Sequence, residues 1–170
     1  MEARARLFGH PVHQMLIVLP LGLLSGVLIF DVLHLITGGE QWREVSYWLI
    51  PAGVVTGLLS AVFGFADWTK IPRNTRAKRV GAIHGIGNVV VVTLFTLSWL
   101  LRSDGMREPV MVAYVASFGG GALSMLTGWL GGELVNRMGV GVDEGAHLDA
   151  PSSLSGRPAT DTLRASAARP

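Results

Sequence analysis

The sequence predicts an all-α fold: a four-helix transmembrane bundle with a disordered C-terminal tail. Three observations carry that expectation. Hydrophobic residues make up 49% of the 170-residue chain and charged residues only 15%, against about 25% charged in ordinary soluble domains. Four apolar runs each approach or exceed the roughly 20 residues that cross ~30 Å of hydrocarbon. The basic residues gather in short segments between those runs, the arrangement that orients membrane helices.

The runs extend over about residues 11–36, 45–67, 80–101 and 109–137. Arg4 and Arg6 precede the first run in the manner of a secretory leader, but the run is too long for a cleaved segment, so a spanning helix is expected. The segment Lys70 to Arg79 carries Lys70, Arg73, Arg76, Lys78 and Arg79 without an acid. The other loops, with Glu40, Arg43 and Glu44 and with Arg102, Asp104, Arg107 and Glu108, have no positive excess. The positive-inside rule then places both termini in the cytoplasm and the protein in the cell inner (cytoplasmic) membrane, with the lipid bilayer as its first partner. Trp42, Trp48, Trp68, Trp99 and Trp129 lie toward run ends, where indole rings favour the interface. The membrane domain is thus 1–142. Residues 143–170 turn Ser-, Ala- and Pro-rich, a composition with too little apolar surface to offset ordering.

Several chemistries are absent. There is no cysteine, hence no disulfide, thiol nucleophile or Cys-ligated cluster in these 170 residues. A sequence pI near 9.5 suggests nucleic acid, but the net charge is +2 and no basic face joins aromatics, so no nucleic-acid partner is expected. No phosphate loop, dinucleotide fingerprint or catalytic triad is visible, and Gly85-Ile86-Gly87 follows no strand. The inverted repeats of a transporter are not evident.

Small residues stand four apart in every run: Gly22 and Gly26, Gly53 and Gly57, Gly81 and Gly85, Gly128 and Gly132. Such spacing lets membrane helices approach closely. Pro20 falls mid-helix and frees the carbonyl of Leu16, which predicts a kink.

Ionisable residues at membrane depth are costly and therefore point to function. Alternating helix direction brings His10 and His13, Asp67, His84 with Asn88, and Glu133 with Asn136 to one leaflet. Three readings follow. For His10, Asn136 and Asp67 the simplest is a cap or a place at the water boundary, and Glu133 has Arg137 in reach at i,i+4. A second is a b-type haem between His13 and His84, with Gly81, Gly85 and Gly87 clearing room for the porphyrin. A third is a zinc or iron shell of His10, Asp67 and Glu133 with His13 and His84. At the other end, Asp31 and His34 form an i,i+3 pair read as interfacial and mutually hydrogen-bonded, and His147 is read as solvent-exposed.

Three blocks also resemble a known family. They are Gly9-His10-Pro11-Val12-His13 with Phe30-Asp31; Asp67-Trp68-Thr69-Lys70-Ile71-Pro72 with Thr75 to Gly81 and His84-Gly85-Ile86-Gly87-Asn88; and Gly131 to Val135 with Gly139-Val140-Gly141-Val142. In this order they resemble the bacterial DUF2231 membrane proteins over about Gly9 to Val142. The resemblance assigns no reaction. It implies a fold similar to four-helix haem b membrane domains, and relatives sometimes joined to a Rieske-type domain, which favours redox work with a separate redox partner protein. Gln14 departs from a proline common in the family, and Asn136 and Met138 from a Tyr and a His. The leading expectation is a haem b electron-transfer component with His13 and His84 as ligands and with His10, Asp67 and Glu133 behind them, fixing tautomers and tuning the potential. The alternative is a non-redox membrane protein binding a divalent metal or serving as a structural partner.

Overall fold

A computed structural model describes residues 1–102 and 110–162. The third loop, with Asp104, Arg107 and Glu108, and residues 163–170 of the tail lie outside the described residues.

The chain opens on a small antiparallel hairpin, β1 (Arg6–Leu7) and β2 (His10–Pro11), which pairs Arg6 with Pro11 and Leu7 with His10. Its tip turns through positive φ at Phe8 (50°) and Gly9 (84°). His10 is therefore extended rather than helical, as expected of a residue that precedes proline. The first span is split into α1 (Val12–Leu16) and α2 (Val18–Thr37), with Ile17 between them. The split falls where Pro20 leaves the Leu16 carbonyl without its i+4 donor. Ile17 nonetheless keeps helical angles, and the bonds Ile17 N to His13 O and Leu21 N to Ile17 O, both 3.1 Å, carry the helix through, so the expected kink is a local irregularity in one continuous span.

The second span, α3 (Glu40–Lys70), runs over 31 residues, about 46 Å at 1.5 Å per residue. It exceeds the apolar run because the flanking Glu40, Arg43, Glu44 and Lys70 continue the helix into the interface. The third, α4 (Arg76–Leu100), starts at Thr75, whose hydroxyl accepts from Lys78 N at 3.1 Å, an N-cap that satisfies one orphan amide. The fourth, α5 (Met111–Gly132), passes into a π-helical turn, Glu133–Arg137.

α2 packs chiefly on α3 and α4 on α5, and the α3–α4 contact joins the two helical hairpins. The shared core is Leu24, Val27, Ile50, Val91 and Phe95. With no hydrophobic drive between helices in lipid, close approach depends on small residues. A methyl group on Gly53 would lie 2.7 Å from Leu24 Cγ, and one on Gly121 would be driven into the Leu28 side chain. The small-xxx-small pairs divide unequally. Gly26, Gly53, Gly57 and Gly81 face neighbouring helices, whereas Gly22, Gly85 and Gly128 face open space. In α5 the packing falls instead to Gly120 and Gly121. The tryptophans divide too: Trp48 and Trp129 are exposed, but Trp99 packs against the core.

The hairpin, the α3–α4 loop and the chain after α5 share one end of the bundle, here the near end; the α2–α3 turn marks the far end. Residues 143–162 run in turns back over the hairpin. Ser153 Oγ donates to Phe8 O at 3.0 Å, Arg6 reaches Asp143 at 2.5 Å, and Gly141 N donates to Met1 O at 2.9 Å. A Ser- and Pro-rich composition thus still finds polar partners on the N-terminal segment. His147 is exposed, with Nε2 3.1 Å from Asp161 O.

Gly53→Val should lower thermal stability in detergent by about 1–3 kcal/mol, since overpacking displaces Leu24. Gly22→Ala, with no atom within 4 Å of the added methyl, should leave the midpoint unchanged or raise it, since alanine is the better helix former.

Candidate functional site

Two polar centres lie inside the bundle, one toward each end.

At the near end, His13 on α1 turns toward α3. Its Nδ1 lies 2.9 Å from Ser60 O and 3.2 Å from Ser60 Oγ. His84 on α4 turns toward α5, with Nδ1 2.8 Å from Thr127 O. A carbonyl oxygen only accepts, so in both rings Nδ1 carries the proton and Nε2 keeps its lone pair. Asn88 Nδ2 donates to His84 O at 2.9 Å and stands 3.3 Å from His84 Nε2; its Oδ1 accepts from Thr127 Oγ1 at 3.2 Å. Both imidazoles are half-buried, each turned onto the neighbouring helix. Glycine opposite each ring permits this approach: a Cβ on Gly64 would lie 2.7 Å from His13 Cε1, and one on Gly131 3.3 Å from His84 Cε1.

The other residues proposed from sequence are not gathered with this pair. His10 is exposed on the hairpin, its Nε2 3.4 Å from Ser153 Oγ. Asp67 is buried, but its Oδ1 accepts from Arg4 N at 2.5 Å and so pins the N-terminal segment to α3. Glu133 pairs with Arg76 at 2.9 Å and with Arg137 at 4.0 Å, tying the end of α5 to the start of α4. Among the described residues no group of three or more His, Asp or Glu side chains is placed to hold a metal ion. Gly81 abuts Trp68 and Gly87 abuts Thr127, so those two serve helix packing; Gly85 alone of the three opens onto free space.

At the far end the polar centre is denser. Asp31 has no exposed surface and takes a two-pronged ion pair from Arg102, NH1 to Oδ1 at 2.7 Å and NH2 to Oδ2 at 2.6 Å. Ser117 Oγ donates to Oδ2 at 2.8 Å, and Arg102 Nε donates to Ser98 Oγ at 3.2 Å. The guanidinium carbon lies 5.1 Å from the centroid of the Tyr114 ring, within cation–π range. His34 stacks on the same ring and places Nδ1 3.0 Å from Gly39 O, the α2–α3 turn. The expected Asp31–His34 pairing is therefore replaced: the carboxylate is taken by Arg102 and Ser117. Reading Arg102 as a loop cation concealed its role. The available signal was its position just past the third run, at the depth of Asp31.

This geometry lies inside a region matched by a family model. The model described as "Predicted membrane protein (DUF2231)" covers residues 9–144. The chain belongs to the DUF2231 family. No curated protein and no solved structure matches it. The matched stretch of this DUF2231 protein takes in both polar centres and all four helices long and apolar enough to span a bilayer, Val12–Thr37, Glu40–Lys70, Arg76–Leu100 and Met111–Arg137. It is a membrane protein, and the far-end ion pair is a clamp among its second-last, first and last spans.

Breaking a buried pair strands the surviving charge, which costs about 3–5 kcal/mol. Arg102→Met should therefore lower unfolding stability in detergent by that order. Adding Asp31→Leu should restore most of the loss, and a double variant no more stable than the single one would show that the pair is not the clamp.

Proposed function

We propose that the near-end centre holds a b-type haem between His13 and His84, and that this DUF2231 protein is an electron-carrying component of the membrane. The observation behind the reading is the tautomer. Ser60 O and Thr127 O hold the Nδ1 protons, so ligation falls to the Nε2 lone pairs: that of His13, and that of His84 once it gives up the Asn88 amide 3.3 Å away. A backbone carbonyl on the second ring nitrogen is the usual support for a ligating histidine, since it fixes ring orientation and raises basicity. His13 and His84 come from different spans and would offer one haem a nitrogen from each of two helices. A bis-imidazole haem has no open coordination position and exchanges single electrons.

The chain's own residues set the rest. Asn88 and Thr127 form a polar bridge beside His84, Asp67 holds the N-terminal segment over the His13 end, and no acid joins the imidazoles as a ligand shell among the described residues. That last point favours haem over the zinc or iron reading. By the charge of the Lys70–Arg79 loop, we place the near end in the cytoplasm of a bacterial inner membrane, with a separate redox partner protein docking there.

Full-length protein expressed with a haem supply and purified in mild detergent should be coloured. It should show a sharp α-band on reduction, lost in His84→Ala and in His13→Ala. Colourless protein whose His84→Ala variant loses only thermal stability would reject the haem and leave the imidazoles as helix clips; stoichiometric zinc in that colourless protein would favour the metal reading. Reporter fusions after Arg73 should report a cytoplasmic location.

A further inference from the structure

Among the described residues, the far end contains a guanidinium without a partner. Arg43 lies in the first turn of α3, is 7% exposed, and its Nε has no hydrogen-bond acceptor. No ion pair or ring contact involves it among the described residues. Its neighbours on that helix face fix its level. Ser46, three residues on, reaches Val27 O at 3.4 Å, one turn before Asp31. Tyr47, four on, has its ring 5.9 Å from that of Trp99. Trp99 Nε1 is likewise buried without an acceptor. Arg102, three residues beyond Trp99, is the cation on Asp31.

Two idle donors from adjacent helices therefore lie near the level at which Arg102 takes up Asp31, the one buried carboxylate at this end among the described residues. An uncompensated charge so placed is costly. Two idle donors call for an acceptor, and an excess positive charge calls for an anion. Arg43 Nε is buried without an acceptor, and no hydrogen bond or ion pair engages the terminal fork among the described residues.

We propose that Arg43 and Trp99 form a binding site for a phosphate-type oxyanion, the guanidinium fork taking the oxygens and the indole N–H adding a neutral donor. Planar, two-pronged capture of such anions is what arginine does best. The first turn of a spanning helix lies at the depth of lipid headgroups, so the phosphate belongs either to a phospholipid or to the free ion. The site is separate from the imidazole centre and stands without it.

The test uses full-length protein in delipidated detergent solution, with thermal unfolding as the readout. Inorganic phosphate and phosphatidylglycerol are titrated separately into wild type, Arg43→Gln and Trp99→Phe. Without either additive, Arg43→Gln should be at least as stable as wild type, because it removes an unpaired buried charge. One of the two additives should raise the wild-type midpoint. Arg43→Gln should weaken that response about tenfold or more, and Trp99→Phe by about threefold to tenfold. A response to phosphate identifies the free ion as the source, and a response to phosphatidylglycerol alone identifies the lipid. Three outcomes each overturn the proposal: destabilisation of Arg43→Gln without additive, which would show a protein partner; an equal response in wild type and Arg43→Gln; or no wild-type response to either additive.

Discussion

In hydrocarbon a polar group has no water to fall back on, and that constraint organises this bundle. Its strongest expression is the Asp31–Arg102 pair. Each charge alone would be intolerable at zero and 3% exposure, so the two hold the end of α4 against α2, and Ser117 draws in α5 through the same carboxylate. Aromatic and hydroxyl groups close the shell, so one ionic contact sets the relative height of three spans. The hydrophobic cluster around Phe95 and Ile50 then needs only to fill the space between helices already in register.

The near end follows the same rule with neutral groups. His13 and His84 each lean on a backbone carbonyl of the neighbouring helix rather than on a carboxylate, and Asn88 and Thr127 complete the exchange. The carboxylates of that end, Asp67 and Glu133, are engaged by Arg4 N and Arg76 at the margin. The near end meets the buried Asp67 with a backbone amide and Glu133 with exposed arginines, whereas the far end buries a complete ion pair.

Much of the fold was legible because it rests on length and hydropathy. Twenty or more apolar residues in lipid have one stable conformation, so the number of spans follows directly from the chain, and Pro20 marks the irregularity in the first of them. Details governed by contact were not legible. Glycine spacing could not tell Gly53, jammed against Leu24, from Gly128, which faces open space. Arg102 read as a loop cation because a one-dimensional profile cannot show that a helix end folds its side chain inward. The convergence of His13 and His84 on one end was visible from helix direction. Their carbonyl partners were not, since any backbone oxygen along α3 or α5 has the same sequence signature. The exclusion of His10 from that centre depends on two residues of extended chain at the hairpin.

The first span is fastened at both of its ends. His13 ties it to α3 through the Ser60 carbonyl, and Asp31 ties it to Arg102 and, through Ser117, to α5. One helix thus touches all three of its neighbours through two polar side chains about five turns apart, so its tilt is fixed as well as its height.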